Sequence, residues 1–312
     1  MTPVVNVVLP VFALILVGYL AGRFRLLGDA SSDALNRFVY YVALPAMFFA
    51  SLARLKPQEI FDLPFLAAYA GGQLAVFAAA FALARLLYRH ESSEAGLFAM
   101  GGVFGNSGYM GIPLALVAFG PAGTLPAILA TVFMTVMIIP IVTALIETDP
   151  RRRSRDTHPL RDAVAAMLRS PLVMSAVGGI AWSLTGLGVP KPLGTFLDLL
   201  GAAAGPCALF AIGLFLVGKP VRQDLGEVGA MVAVKLFVHP LVTWILAFHI
   251  FDVDPAWATV AVVMAALPAG ANCFVVAQRY DVYTARASSG ILLSTLASVV
   301  TLSILFSYWV GQ

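Results

Sequence analysis

The chain has 312 residues, of which 60% are hydrophobic and only 11% charged, with a mean hydropathy of +0.92. Soluble domains carry about 25% charged residues, so this composition excludes an ordinary soluble domain and defines an integral membrane protein. The net charge of +3 is small and its placement matters more than its size, while Cys207 and Cys273 lie in apolar runs and predict neither a disulfide framework nor a metal cluster.

In order, the chain holds ten apolar runs, at about 3–22, 34–53, 64–88, 95–120, 124–146, 171–188, 193–218, 229–251, 255–278 and 283–310. Each is read as one membrane span, giving an all-α integral membrane fold. The first run, Met1–Gly22, has no basic leader or cleavage site and is read as a retained span. Connections are short except at 147–170, which carries Arg151, Arg152, Arg153, Arg155, Arg161 and Arg169 and is too polar to enter lipid. This basic linker divides the chain into a first five-helix repeat, 1–146, and a second, 171–312.

Charge placement sets the expected orientation. Connectors after spans 1, 3, 5, 7 and 9 hold fourteen basic residues: Arg23, Arg25, Arg85, Arg89, the six linker arginines, Lys219, Arg222, Arg279 and Arg286. The opposite side has three, Arg54, Lys56 and Lys191. The positive-inside rule then makes the 147–170 linker cytoplasmic and puts both termini outside the cell membrane. Five spans per half is an odd number, so the second half must run inverted relative to the first.

Spans 4 and 9 are interrupted. Span 4 contains Gly101, Gly102, Gly105, Gly108, Gly111 and Pro113 around Asn106 and Ser107, a poor recipe for an unbroken helix. Span 9 contains Leu267-Pro268-Ala269-Gly270-Ala271-Asn272. Paired interruptions in two halves are the best pointer in a sequence to a transporter's binding site, because freed backbone groups at membrane depth must line protein or a cavity. A half-helix beginning there presents unsatisfied N–H groups and about half a positive charge. Pro113 suits the start of such a half-helix. Asn106, Ser107 and Asn272 are expected to give orienting hydrogen bonds to a carboxylate; each could instead satisfy only freed backbone groups. Gly105, Gly108, Gly111, Pro113, Pro268 and Gly270 are expected to act as breaks and hinges. So are Pro45 and Pro206, which echo each other in spans 2 and 7.

Other polar groups rank lower. Gln73 and Tyr69 in span 3 could line the cavity. Asp198 is the one carboxylate well inside a span and a candidate coupling group, although its place near the outer end also allows it to reach water. Lys235 is expected to snorkel from the cytoplasmic end of span 8, and His239 sits deeper.

At these residues the chain resembles the auxin efflux carrier family, which includes plant hormone exporters and bacterial malonate or malate transporters. Asn36-Arg37-Phe38-Val39 and Leu44-Pro45 resemble its second span. Asn106-Ser107-Gly108-Tyr109-Met110-Gly111-Ile112-Pro113-Leu114 resembles its fourth-span signature. Phe210-Ala211-Ile212-Gly213-Leu214-Phe215 with Pro220 resembles span 7, and Ala266-Leu267-Pro268-Ala269-Gly270 with Phe274, Val275 and Ala277 resembles span 9. The resemblance implies the fold of sodium/proton antiporters and bile-acid symporters, with two crossed broken helices. Spans 1, 2, 6 and 7 would form a dimerising scaffold, and spans 3–5 and 8–10 a moving transport unit. Plant members carry an acidic residue and a lysine early in span 3, where this chain has Tyr69 and Gln73; Cys273 replaces a second proline of their span 9. The plant carboxylate's proton role therefore does not carry over.

The functional expectation is a secondary transporter of small organic anions working by alternating access. The alternative is a sodium-coupled symporter of the bile-acid type. A phosphate-binding Gly-rich loop with its Lys-Ser/Thr is absent, as is His-Glu-x-x-His spacing, so neither ATP drive nor a metalloenzyme is expected. The expected partners are an organic anion, membrane lipid and a second copy of the chain, with no nucleic acid, cofactor or metal.

Overall fold

A computed structural model of the chain describes residues 7–55, 62–147, 149, 170–218 and 224–309. The linker arginines Arg151–Arg169, Lys56, Lys219 and Arg222 lie outside the described residues. Among the described residues six helical stretches are long and apolar enough to cross a bilayer: Ala30–Ala53, Leu63–Leu87, Ser107–Glu147, Lys191–Leu216, Leu225–Ile250 and Thr284–Tyr308. Leu9–Arg23, Pro171–Leu184 and Pro255–Ala265 are apolar but shorter. The chain is a multi-pass, all-helical membrane protein.

The first helix is α1 (Leu9–Arg23). It is followed by α2 (Asp29–Phe38) and α3 (Leu44–Ala53), which continue one another through a π-helical turn at Val39–Ala43. Next come α4 (Leu63–Leu87) and α5 (Ser92–Val103). A second π-helical turn, Ser107–Gly111, leads into α6 (Ile112–Glu147). The second half holds α7 (Pro171–Leu184) and α8 (Lys191–Leu216). Then α9 (Leu225–Ala233) and α10 (His239–Ile245) flank a π-helical turn at Val234–Val238, and another follows at Leu246–Ile250. The chain closes with α11 (Pro255–Ala265), α12 (Asn272–Tyr280) and α13 (Thr284–Trp309).

Three of the four π-helical turns stand directly before a proline, at Pro45, Pro113 and Pro240. Proline has no N–H to donate and its ring clashes with the carbonyl four residues back, so widening the preceding turn to i→i+5 bonding accommodates it without ending the helix. For this reason the half-helix expected to open at Pro113 opens at Ser107 instead, where Met110 N–H and Gly111 N–H both bond the Asn106 carbonyl at 2.9 and 3.1 Å. Pro206 sits inside α8 with no such turn. At Gly120 the helix α6 is interrupted by φ 66°, ψ −159°, a conformation only glycine adopts readily, and Pro121 restarts it. Spans 4 and 5 are therefore joined by one residue, where a short loop is expected from the sequence.

Helices α1, α3, α7 and α8 pack on one another. The closest approach is between α1 and α8, where a Cβ on Gly18 would overlap the Phe210 carbonyl oxygen and one on Gly213 the Ile15 carbonyl oxygen. The helices α4, α5, α6 and α9–α13 form a second set of mutual contacts. At one end of that set His90 lies 2.7 Å from Glu227 and 3.1 Å from Glu94, and Arg286 reaches Glu227 at 3.3 Å and Asp224 at 2.5 Å. Tyr283 donates to Glu227 as well. Burial and that carboxylate hold the Tyr283 phenol well above its ordinary pKa, so it stays a donor across the physiological range. At the opposite end Arg54 and Asp198 form a bidentate pair at 2.8 and 2.9 Å.

Candidate functional site

The two interrupted stretches meet. Phe104 ends α5 with extended backbone, φ −78° and ψ 97°, and Gly105 pairs antiparallel with Ala269. Asn106 N–H donates to the Pro268 carbonyl at 2.8 Å, and Gly270 N–H to the Phe104 carbonyl at 2.9 Å. A Cβ on Gly270 would lie 2.8 Å from the Gly105 carbonyl oxygen, so the two chains can cross this closely only with glycine there. Ala269 N–H is taken by Ser294 Oγ of α13 at 3.0 Å. The backbone groups freed by each break are thus used largely by the other break, which is how irregular backbone survives at membrane depth.

A cavity of about 520 Å³ opens beside this crossing, within the size range of small-molecule sites. Gly105, Asn106, Ser107, Gly108, Gly270, Ala271 and Asn272 line it from the breaks. Tyr40, Leu44, Ala211, Ile212 and Phe215 line it from α8 and the α2–α3 rod. Asn36, Arg37 and Gln278 stand at its wall as well, and the exposed Arg37 and Gln278 mark its mouth. The floor is buried: Asn106 is 7% and Ser107 2% exposed. Both N-termini of the second half-helices, at Ser107 and Asn272, face this cavity. Neither start is capped by a side chain. The Asn106 amide is therefore not consumed as a cap, and the partial positive charge of two helix N-termini remains available to an anion.

Sequence reasoning brought Asn106, Ser107 and Asn272 together correctly in space, with Gly105, Gly108 and Gly270. Gly111 and Pro268 stand in the crossing, and Pro113 packs against α8 beside Gly205. Tyr69 and Gln73 lie elsewhere: both are fully buried, outside the cavity lining, on the face of α4 toward α10. There Tyr69 stands 6.5 Å, ring to ring, from His239, and the Gln73 amide has no protein partner. Asp198 is half-exposed in its pair with Arg54, remote from the crossing. Arg37, Tyr40, Tyr109, Thr131, Thr135 and Gln278 line the cavity without having been singled out. Arg37 and Tyr109 carried a signal, as parts of the stretches that resemble the family's second and fourth spans. Lys235 does not snorkel; it is 0% exposed and donates to the Ala265 carbonyl at 2.5 Å.

Two crossed, broken helices over an amide-lined cavity in a multi-pass bundle are the arrangement of a membrane transporter's binding site. Residues 3–306 match the model of the "Membrane transport protein" family, and the chain belongs to that family. It is 34% identical over 306 residues to the "Putative malonate transporter" of Rhizobium meliloti, covering 97% of this chain and 95% of that one. It is 24% identical over 301 residues to the "Uncharacterized transporter YfdV" of Escherichia coli, covering 94% and 93%. A 139-residue stretch is 30% identical to "Auxin efflux carrier component 7" of Arabidopsis thaliana, covering 43% of this chain and 22% of the plant protein.

Proposed function

We propose that the chain is a secondary transporter of small carboxylates, with the substrate held at the crossing by Asn106, Ser107 and Asn272 and by the two half-helix N-termini. The carrying observation is the uncapped pair of helix starts facing a cavity that, among the described residues, is lined by no carboxylate side chain. Such a floor attracts anions. The name of the Rhizobium meliloti relative makes malonate the first substrate to try.

In this reading ten spans form two inverted five-helix repeats. Helices α1, α2–α3, α7 and α8 are the scaffold, which pairs with a second copy, and the remaining helices move as a transport unit in the cell's inner membrane. Gly105, Gly108, Gly111, Pro113, Pro268 and Gly270 keep the crossing irregular, while Pro45 and Pro206 bend the scaffold beside it. The cavity mouth at Arg37 and Gln278 then faces the cytoplasm.

The test is uptake of labelled malonate, malate and indole-3-acetate into proteoliposomes, with and without sodium, beside thermal shift on the purified protein. At least one carboxylate should accumulate without sodium and raise the melting temperature; a ligand at a hundred times its Kd adds about 2.7 kcal/mol. No shift and no uptake with any of the three would overturn the carboxylate reading. Uptake that requires sodium would replace it with the bile-acid type of symport.

A further inference from the structure

Behind the crossing, on the side away from the cavity, sits a basic side chain that the site so far does not use. Lys235, in the π-helical turn between α9 and α10, is 0% exposed. Its Nζ donates to the Ala265 carbonyl, the last residue of α11, at 2.5 Å, and lies 3.3 Å from His239 Nδ1. Among the described residues it forms no ion pair with a carboxylate. The titratable groups beside it are the His239 imidazole and the Cys273 thiol, neither of which supplies a counter-ion to an ammonium in the neutral form. An ionisable group at membrane depth is a functional candidate by default, and removing an ammonium from water without an anion to pair it costs several kcal/mol.

What separates this amine from the cavity is the backbone of Gly105. A Cβ built on Gly105 would stand 3.6 Å from Nζ, and Gly105 itself lines the cavity beside Asn106. No side chain is available at that position to screen the charge, and the protein interior screens it far less than water would. The same helices that carry Lys235 pack on α4, α5 and α11, so the charge travels with the breaks rather than with the α1–α8 pair.

We propose that Lys235 is the counter-charge of the transported anion: a positioning residue whose amine, held behind Gly105, carries a positive charge when the anion is bound, so that the site discriminates substrates by charge and favours a dicarboxylate over its monoanionic isostere. This rests on the carboxylate reading of the crossing. It goes beyond it by assigning charge selectivity to a residue that does not touch the cavity. The competing role is structural, a cap on the C-terminus of α11, where any hydrogen-bond donor would serve.

The experiment compares malonate with malonamate, its monoamide of the same size and one charge fewer, by calorimetry on the purified full-length protein at fixed pH. Wild type should bind malonate more tightly. Lys235→Gln, which keeps a donor for the Ala265 carbonyl, should weaken malonate about tenfold or more while changing malonamate much less, collapsing the ratio. Lys235→Arg should retain the preference. Lys235→Met is the second neutral variant, since apolar replacement of a buried charge is often well tolerated. An unchanged malonate-to-malonamate ratio in either folded neutral variant would show Lys235 to be a cap, and the proposal would fall while the carboxylate site stood. Equal affinity of wild type for the two probes would overturn it as well. Failure of wild type to bind either probe would remove the carboxylate reading first.

Discussion

At the scale of single residues the crossing turns on Asn106. Its main-chain N–H is committed to Pro268 and its carbonyl to Met110 and Gly111, which leaves the side-chain amide as the group with no structural duty. Asn106→Ala should weaken substrate binding by about 1.5–3 kcal/mol, the worth of a hydrogen bond to a charged group, or roughly ten- to a hundredfold in Kd. Asn106→Asp should be worse, because it sets a carboxylate against an anion while keeping the size. Both are read by binding and uptake of malonate, with size-exclusion profiles reporting the fold. Wild-type transport by Asn106→Asp would move the site away from this residue. Asn106 and Asn272 were legible in the sequence because each stands among glycines and prolines inside an apolar run. Lys235 was not. Its depth was misjudged from a run drawn to begin near residue 229, whereas the helix begins at Leu225. Ten residues at about 1.5 Å each put Lys235 roughly 15 Å from that end, half the depth of a bilayer core. Tyr69 and Gln73 lie on a helix that is apolar on every face, so nothing in the spacing said which face would meet the cavity.

At the scale of elements, two sequence features set the geometry. The π-helical turns before Pro45, Pro113 and Pro240 convert helix-breaking residues into local widenings, so these three prolines are accommodated without ending their helices. The break in span 4 needs more than its proline: it comes from Gly105 and Asn106, which take up non-helical backbone, and from a partner segment whose Pro268 carbonyl accepts from Asn106 N–H and whose Gly270 N–H donates to the Phe104 carbonyl. This is why the sequence located the breaks well but placed the restart of the helix six residues late. The pairing of α1 with α8 is the second feature. Close packing of membrane helices relies on small residues at the contact, and here Gly18 and Gly213 meet each other's backbone. Gly213→Ala should force the two helices apart and destabilise the protein by about 1–3 kcal/mol, the ordinary cost of overpacking. Gly188→Ala, where a Cβ would meet nothing within 4 Å, is the matched control. Thermal unfolding of the two variants in the same detergent measures the difference. Equal melting temperatures would mean that α1 and α8 are not in backbone contact.

At the scale of the whole molecule the two ends of the bundle differ in their basic residues, and the difference carries the orientation. Arg85, Arg286 and the His90–Glu227–Tyr283 cluster gather at one end, the end that also bears Arg279 and the cavity mouth at Gln278. Arg54 and Asp198 neutralise each other at the other. An excess of arginine and lysine in short connectors marks the cytoplasmic side of a membrane protein. The fourteen-to-three division of basic residues among the connectors therefore predicts a cytoplasmic 147–170 linker and a cavity open to the cytoplasm. The prediction is tested with one cysteine at a time, Ser154→Cys in the linker or Thr185→Cys in the exposed turn after α7, in a background carrying Cys207→Ala and Cys273→Ala. A membrane-impermeant maleimide applied to intact cells should label Thr185→Cys and leave Ser154→Cys unlabelled until the membrane is permeabilised. The reverse pattern would invert the orientation and turn the cavity outward. Labelling of both from outside would be the more serious result. It would put the two ends of α7 on the same side, and an odd number of spans per half, with the inverted repeat that follows from it, could not stand.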